Sequence, residues 1–177
     1  MLNYLVAAVY TGCMSRTARS LERSDGAPAP SGAPSNLTAM LRLTGLYRRR
    51  FQSLLAQEPW VVESGVKAPT YGVLSVLKQR GPVSQREVCD ALGVHASDMV
   101  EIVDLVEHQG WVERRRDPTD RRRYQLTITP EGRKTLARYD AIAAQAEDIV
   151  LEPLSETERR RLIELVTKVV SGPTRES

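Results

Sequence analysis

Apolar residues recur along this chain at two periods, and the change from one to the other organises it. From Leu37, the series Leu37, Leu41, Leu46 or Tyr47, Phe51, Leu54 and Leu55 follows the helical repeat, with Arg42 and Arg48 to Arg50 on other faces. The spacing predicts a first helix that ends before Pro59. A short irregular link holding Trp60, Gly65 and Pro69 follows. A second helix then runs from Thr70 to about Gln79, burying Tyr71, Leu74 and Leu77 and stopping at Arg80-Gly81-Pro82. Ser84-Gln85-Arg86-Glu87 is a capping box: the serine accepts from the backbone and the glutamate three residues on reaches back, which opens a third helix through Leu92. Gly93 closes it. Met99, Ile102, Val103, Leu105 and Val106 mark the inner face of a fourth helix, from about Ala96 to Gln109, with Gly110 just past its end.

At Trp111 the period drops to two. Trp111 and Val112 lead into one strand, and the alternation Tyr124, Leu126, Ile128 marks a second. Between them Asp117-Pro118-Thr119-Asp120 has turn chemistry, because proline fixes φ and aspartate side chains bond their own backbone. The expectation is a short hairpin. The helical repeat then returns. Thr129-Pro130-Glu131 supplies an N-cap, a helix-compatible proline and a first-turn acid for a long helix to roughly Leu151, with Leu136, Tyr139, Ile142, Ala146 and Ile149 in register. Pro153 breaks it, and a second capping box, Ser155-Glu156-Thr157-Glu158, starts a last helix striped by Leu162, Leu165, Val166, Val169 and Val170. The first helix and the last two carry more apolar face than one small core covers, so the simplest use of the excess is burial against the same helices of a second copy, a homodimer.

Composition changes this picture little, but the placement of charge changes it a good deal. The 177 residues are 41% hydrophobic, enough for one ordinary domain with a tail, and Lys+Arg at 25 against Asp+Glu at 22 is only mildly basic. The hairpin concentrates the excess: Arg114, Arg115, Arg116, Arg121, Arg122 and Arg123 stand against Glu113, Asp117 and Asp120. Cys13 and Cys89 lie far apart without metal-ligand spacing, which supports neither a disulfide framework nor a zinc site and fits a reducing cytoplasm. Leu2 to Tyr10 is apolar. It has no charged residue before it and is far shorter than the ~20 residues of a membrane helix, so neither a signal peptide nor a membrane span is expected. Residues 1–35, rich in Gly, Ala, Pro and Ser towards their end, read as a flexible leader, with the folded part beginning near Asn36.

Three stretches are shared with a known family: Ala91-Leu92-Gly93-Val94 at the turn, Leu105 to Arg114 leaving the fourth helix, and Asp117 to Arg123 with Leu126 to Gly132 beyond it. Over roughly Leu37 to Val170 the chain resembles the MarR family of bacterial winged helix-turn-helix regulators. The resemblance implies a mainly α fold with a small β-hairpin wing (α+β), a DNA-binding part at about 70–129, and N- and C-terminal dimerisation helices at about 37–57 and 130–171. It implies a transcriptional regulator, a repressor by expectation, that binds the palindromic operator of double-stranded DNA as a homodimer and is released by a small aromatic effector. The rival reading is a winged-helix module for protein interaction.

Physical reasoning assigns the parts. A helix inserted in the major groove needs a short helix to brace it, and a β loop beside it can lay arginines along phosphates or into the minor groove. His95, Ser97 and Asp98 open the fourth helix as candidate readers, and Arg115, Arg121, Arg122 and Arg123 are the wing cations. The family's Asp-x-Arg element falls on Asp120-Arg121-Arg122, so Arg122 is expected at the minor-groove tip with Asp120 orienting it. Asp98, Glu101 and Asp104 make the exposed side of this helix acidic, unfavourable near phosphate. Asp98 either caps the helix or accepts from a cytosine amino group. Tyr47, Phe51, Trp60 and Tyr71 either line an effector cleft or pack as core and interface. Cys89 is expected to be a buried structural thiol, and His108 a cation suited to a helix end. No cofactor, no metal and no catalytic constellation is expected.

Overall fold

The structure, a computed structural model, describes residues 35–66, 69–116 and 124–170. Helix α1 spans Asn36–Leu55 and is capped by Ser35, whose side chain accepts from the Thr38 amide. Its apolar stripe divides: Phe51 and Leu55 are buried, while Leu37, Met40, Leu41 and Leu46 are exposed.

The link expected after Pro59 is a further helix, α2, at Pro59–Ser64. Proline stands at its first turn, where its missing N–H and preset φ favour a helix start. The Glu58 carboxylate just outside accepts the Trp60 indole N–H at 3.0 Å, and the Ser64 hydroxyl donates back to the Trp60 carbonyl at 2.6 Å. Six residues are too few for a helical period to show, so Pro59 reads in the sequence only as the stop of the helix before it.

Helix α3 spans Pro69–Arg80 and is buried at every position from Thr70 to Leu77, so it forms the centre of the domain. Helix α4, Gln85–Leu92, begins on the predicted capping box, with the Ser84 amide donating to Glu87 at 2.8 Å and the Glu87 amide donating to the Ser84 hydroxyl at 3.3 Å. Gly93 ends it at φ 63, a left-handed conformation that a side chain disfavours, and the chain turns there into α5, Ala96–His108.

Strands β1, Val112–Arg116, and β2, Tyr124–Ile128, pair antiparallel with Val112 opposite Ile128 and Arg114 opposite Leu126. One attachment has no local signature in the sequence: Val83, in the α3–α4 link, exchanges two backbone hydrogen bonds with Leu126 at 2.8 and 3.2 Å and so fastens the hairpin to the helices. Helix α6, Pro130–Val150, is N-capped by Thr129, and α7, Glu156–Val170, opens on the second predicted capping box. The mainly α architecture with a two-stranded hairpin agrees with the expected fold class.

The core lies where α1, α3 and α6 meet. Phe51, Tyr71 and Tyr139 pack together there, with ring centroids 5.5 to 6.5 Å apart. By contrast α7 buries none of its residues within the chain.

Candidate nucleic-acid interface

Met99, Val103 and Val106 bury one side of α5 against the domain. At 100° per residue the opposite side is the stripe Ser97, Glu101, Asp104, His108, all exposed. Ser97 therefore stands at the exposed N-terminal end of this helix. His95 is the N-cap residue, exposed, and makes no side-chain capping bond. The expected capping by Asp98 is corrected: Asp98 lies three positions inside the cap, and its amide donates to the His95 carbonyl. What it contributes to the helix is charge, since an acid in the first turn opposes the positive end of the macrodipole.

The hairpin arginines separate by face. Val112 and Arg114 share the inner face of β1, while Glu113 and Arg115 share the outer one, because successive side chains on a strand alternate. Arg114 is cross-strand from Leu126, which is buried, and its guanidinium is turned towards α5. There its Nη2 donates to Asp104 at 3.1 Å and its Nε lies 3.4 Å from a Glu107 carboxylate oxygen, close enough for ionic attraction but outside hydrogen-bond geometry. Arg115 is two-thirds exposed and ion-paired to Glu113 at 2.7 Å. Arg116 lies over the Tyr124 ring at 5.8 Å. The expected tip residues Asp120, Arg121, Arg122 and Arg123 lie outside the described residues. The sequence did not foretell the Arg114 contacts. Asp104 and Glu107 do share a face of α5, but only the docked hairpin brings an arginine onto them.

The four aromatic residues expected at an effector cleft divide as well. Phe51 and Tyr71 are wholly buried, and Tyr47 and Trp60 are half-buried. Trp60 has Arg138 over its face at 4.4 Å and Tyr139 against it edge-on at 5.0 Å. Burial holds the Tyr47, Tyr71 and Tyr139 hydroxyls protonated well above the ordinary tyrosine range; acidic neighbours add to this at Tyr47 (Glu147, Asp140) and at Tyr71 (Asp140). A cleft of about 450 Å³ opens on the other side of α1, lined by Leu46, Arg49, Arg50, Ser53, Ile149 and Val150 and by none of these aromatic residues. Cys89 is buried, and burial first, then the nearby Asp90, pushes its thiol upward, as a structural thiol requires. Among the described residues no group of three or more His, Cys, Asp or Glu is placed to hold a metal ion, and no helix is long and apolar enough to cross a membrane.

Comparison with known proteins places these features in context. A family model described as the MarR family matches residues 64–123, from the end of α2 to the hairpin. A putative transcriptional regulatory protein for the hcr operon of Thauera aromatica is 35% identical over 105 residues, which is 59% of this chain and 63% of that protein. The match thus spans less than two thirds of that relative's length. The HTH-type transcriptional regulator BilQ of Clostridium symbiosum is 33% identical over 60% of this chain and 72% of its own. Among solved structures, the PcaV transcriptional regulator of Streptomyces coelicolor, crystallised in complex with its natural ligand, aligns over 83% of this chain and 98% of its own with a TM-score of 0.58. At 24% identity that likeness speaks for the fold.

Proposed function

The chain belongs to the MarR family of transcriptional regulators, and from that membership we propose that it binds double-stranded DNA as a homodimer, with α5 in the major groove and the hairpin arginines on the flanking backbone and minor groove. The observation that carries this reading is the pairing of an exposed α5 stripe, braced from behind by α4, with an arginine-rich hairpin fastened beside it through Val83. In this reading Ser97 and His95 meet base edges, while Arg115 and the tip residues Arg121, Arg122 and Arg123 meet phosphate or the minor groove, with Asp120 orienting Arg122.

Two-fold assembly is supported by apolar surface that one copy leaves uncovered: Leu37, Met40, Leu41 and Leu46 on α1, and Ile163, Leu165, Val169 and Val170 on α7. Burying it against a second copy is favourable by roughly 25 cal/mol per Å². A two-fold dimer presents two recognition helices and therefore reads a palindromic operator. The regulator acts in the cytoplasm as a repressor and is released by a small aromatic ligand at the junction of α1, α2, α3 and α6, around Tyr47, Phe51, Trp60 and Tyr71. Support for release is the position of that cluster, where an occupant would shift α3 relative to α6, together with the ligand-bound state of PcaV. No catalytic step is assigned to the chain.

Selection from a random-sequence duplex library tests the reading. The expected product is an inverted repeat whose binding falls steeply with added salt, as release of counterions from phosphate requires. Recovery of no enriched duplex, with salt-insensitive capture of a protein partner instead, would replace it by the protein-interaction module.

A further inference from the structure

The recognition helix turns acidic residues towards the surface that the proposed function assigns to DNA. Glu101 and Asp104 lie on its exposed stripe, and Glu107 flanks them. A carboxylate facing phosphate is repelled, so a helix with this pattern needs its charge answered. Among the described residues, the Arg114 guanidinium lies 3.1 Å from Asp104 and 3.4 Å from Glu107. Its strand position explains why it is there: Arg114 shares the inner face of β1 with Val112, whereas Arg115 points outward.

We propose that Arg114 acts on DNA binding through the recognition helix and not through DNA, by holding Asp104 and Glu107 and offsetting, with its single positive charge, part of the negative field that these two carboxylates would otherwise set against the phosphate backbone. It is a positioning residue, and its role rests on the DNA-binding reading above. The pairs are substantially exposed, with 32% of the Arg114 side chain and 62% of the Asp104 side chain open to solvent, and exposed ion pairs contribute little to folding. The hairpin is held without them, by its own ladder, by the Val83–Leu126 bridge and by the buried Val106 and Val112. The contribution of Arg114 is therefore to the field at the DNA face. The two arginines thus divide by role, with Arg114 serving the helix and the outward-facing Arg115 serving the nucleic acid.

The test compares the full chain with Arg114→Gln, with the double variant Asp104→Asn, Glu107→Gln, and with the triple variant carrying all three changes. Binding to the selected duplex is read by fluorescence anisotropy over a series of salt concentrations. Measurable binding by the unaltered chain tests the DNA-binding reading by itself; the variants test only the role of Arg114. Arg114→Gln should weaken binding roughly tenfold, as uncompensated like charge does, while the slope of log affinity against log salt stays unchanged. The triple variant should recover at least the affinity of the unaltered chain, because both carboxylates are gone with the arginine that offset them. Arg114→Lys, which keeps the charge and loses the planar fork, should fall between the two. The proposal is overturned if Arg114→Gln lowers the salt slope by about 0.9 per contact and the triple variant stays equally weak, the signature of an arginine lying on phosphate. It is overturned equally if Arg114→Gln binds like the unaltered chain, or if its melting temperature falls and the triple variant fails to recover binding.

Discussion

The Tyr71 hydroxyl on α3 donates a 2.9 Å hydrogen bond to the Asp140 carboxylate on α6, joining positions 69 residues apart. Lys78, also on α3, lies 3.5 Å from the other carboxylate oxygen. The helix at the centre of the DNA-binding part is thereby tied to the long helix that leads towards the proposed dimer interface. Tyr71→Phe removes the donor and keeps the ring. A hydrogen bond to a charged group is worth about 1.5–3 kcal/mol, and a loss of that order is expected from urea unfolding. A loss below about 0.5 kcal/mol would show that the bond carries no stability.

Alkaline pH should unfold the protein through its buried tyrosines. Burial keeps Tyr47, Tyr71 and Tyr139 protonated above the ordinary value of 10.0. Above pH 10 the unfolded chain therefore loses protons that the folded one retains, so this contribution to stability is fully present below that value and is lost progressively as pH rises above it towards the raised values of the folded protein. The urea midpoint is expected to hold steady up to about pH 9 and then fall, with tyrosinate absorbance from these residues appearing only as the fold is lost. Early, graded ionisation of all the tyrosines in the folded protein would contradict the assignment.

Gly132 is required by close approach. A Cβ built there collides with the Trp111 carbonyl and comes within 3.0 Å of Ile128 Cγ1. The Thr129 hydroxyl donates to the Gly110 carbonyl at 2.7 Å and the Thr129 amide donates to the Trp111 carbonyl at 3.0 Å, so the start of α6 has no room to retreat. Gly132→Ala is expected to cost about 1–3 kcal/mol in chemical denaturation, the range of overpacked sites. It should also weaken DNA binding by tilting the hairpin against α6.

Removing residues 155–177 takes away α7, none of whose described residues is fully buried within its own chain. The expected result by light scattering is a monomer or an aggregate that binds the operator poorly, because a dimeric reader loses one of its two half-site contacts. A stable dimer with undiminished binding would remove α7 from the interface.

At the hairpin tip, Arg122→Ala is expected to cost about 1–3 kcal/mol of binding and to lower the salt slope by about one unit. Asp120→Ala should also weaken binding although it removes a negative charge, because Asp120 is proposed to orient Arg122. Tighter binding by Asp120→Ala in anisotropy titrations would leave Arg122 in place and end the orienting role.

What the sequence by itself determined was whatever is encoded within about four residues. The capping boxes at Ser84 and Ser155 and the Thr129-Pro130 start form as read, because each is a hydrogen-bond pattern closed inside a single turn. The hairpin was legible from its alternation, and the apolar faces of α1 and α7 from their period. Which of those faces the chain itself covers was not: Leu37 and Phe51 obey the same repeat, yet one is exposed and the other is wholly buried. Only the docking of α6 decided that. The same holds for the Val83–Leu126 bridge, for Tyr71 on Asp140, and for Arg114 on Asp104 and Glu107. Each joins side chains or strands that come within bonding distance only after separate elements have packed, and a local pattern carries no record of such a distance.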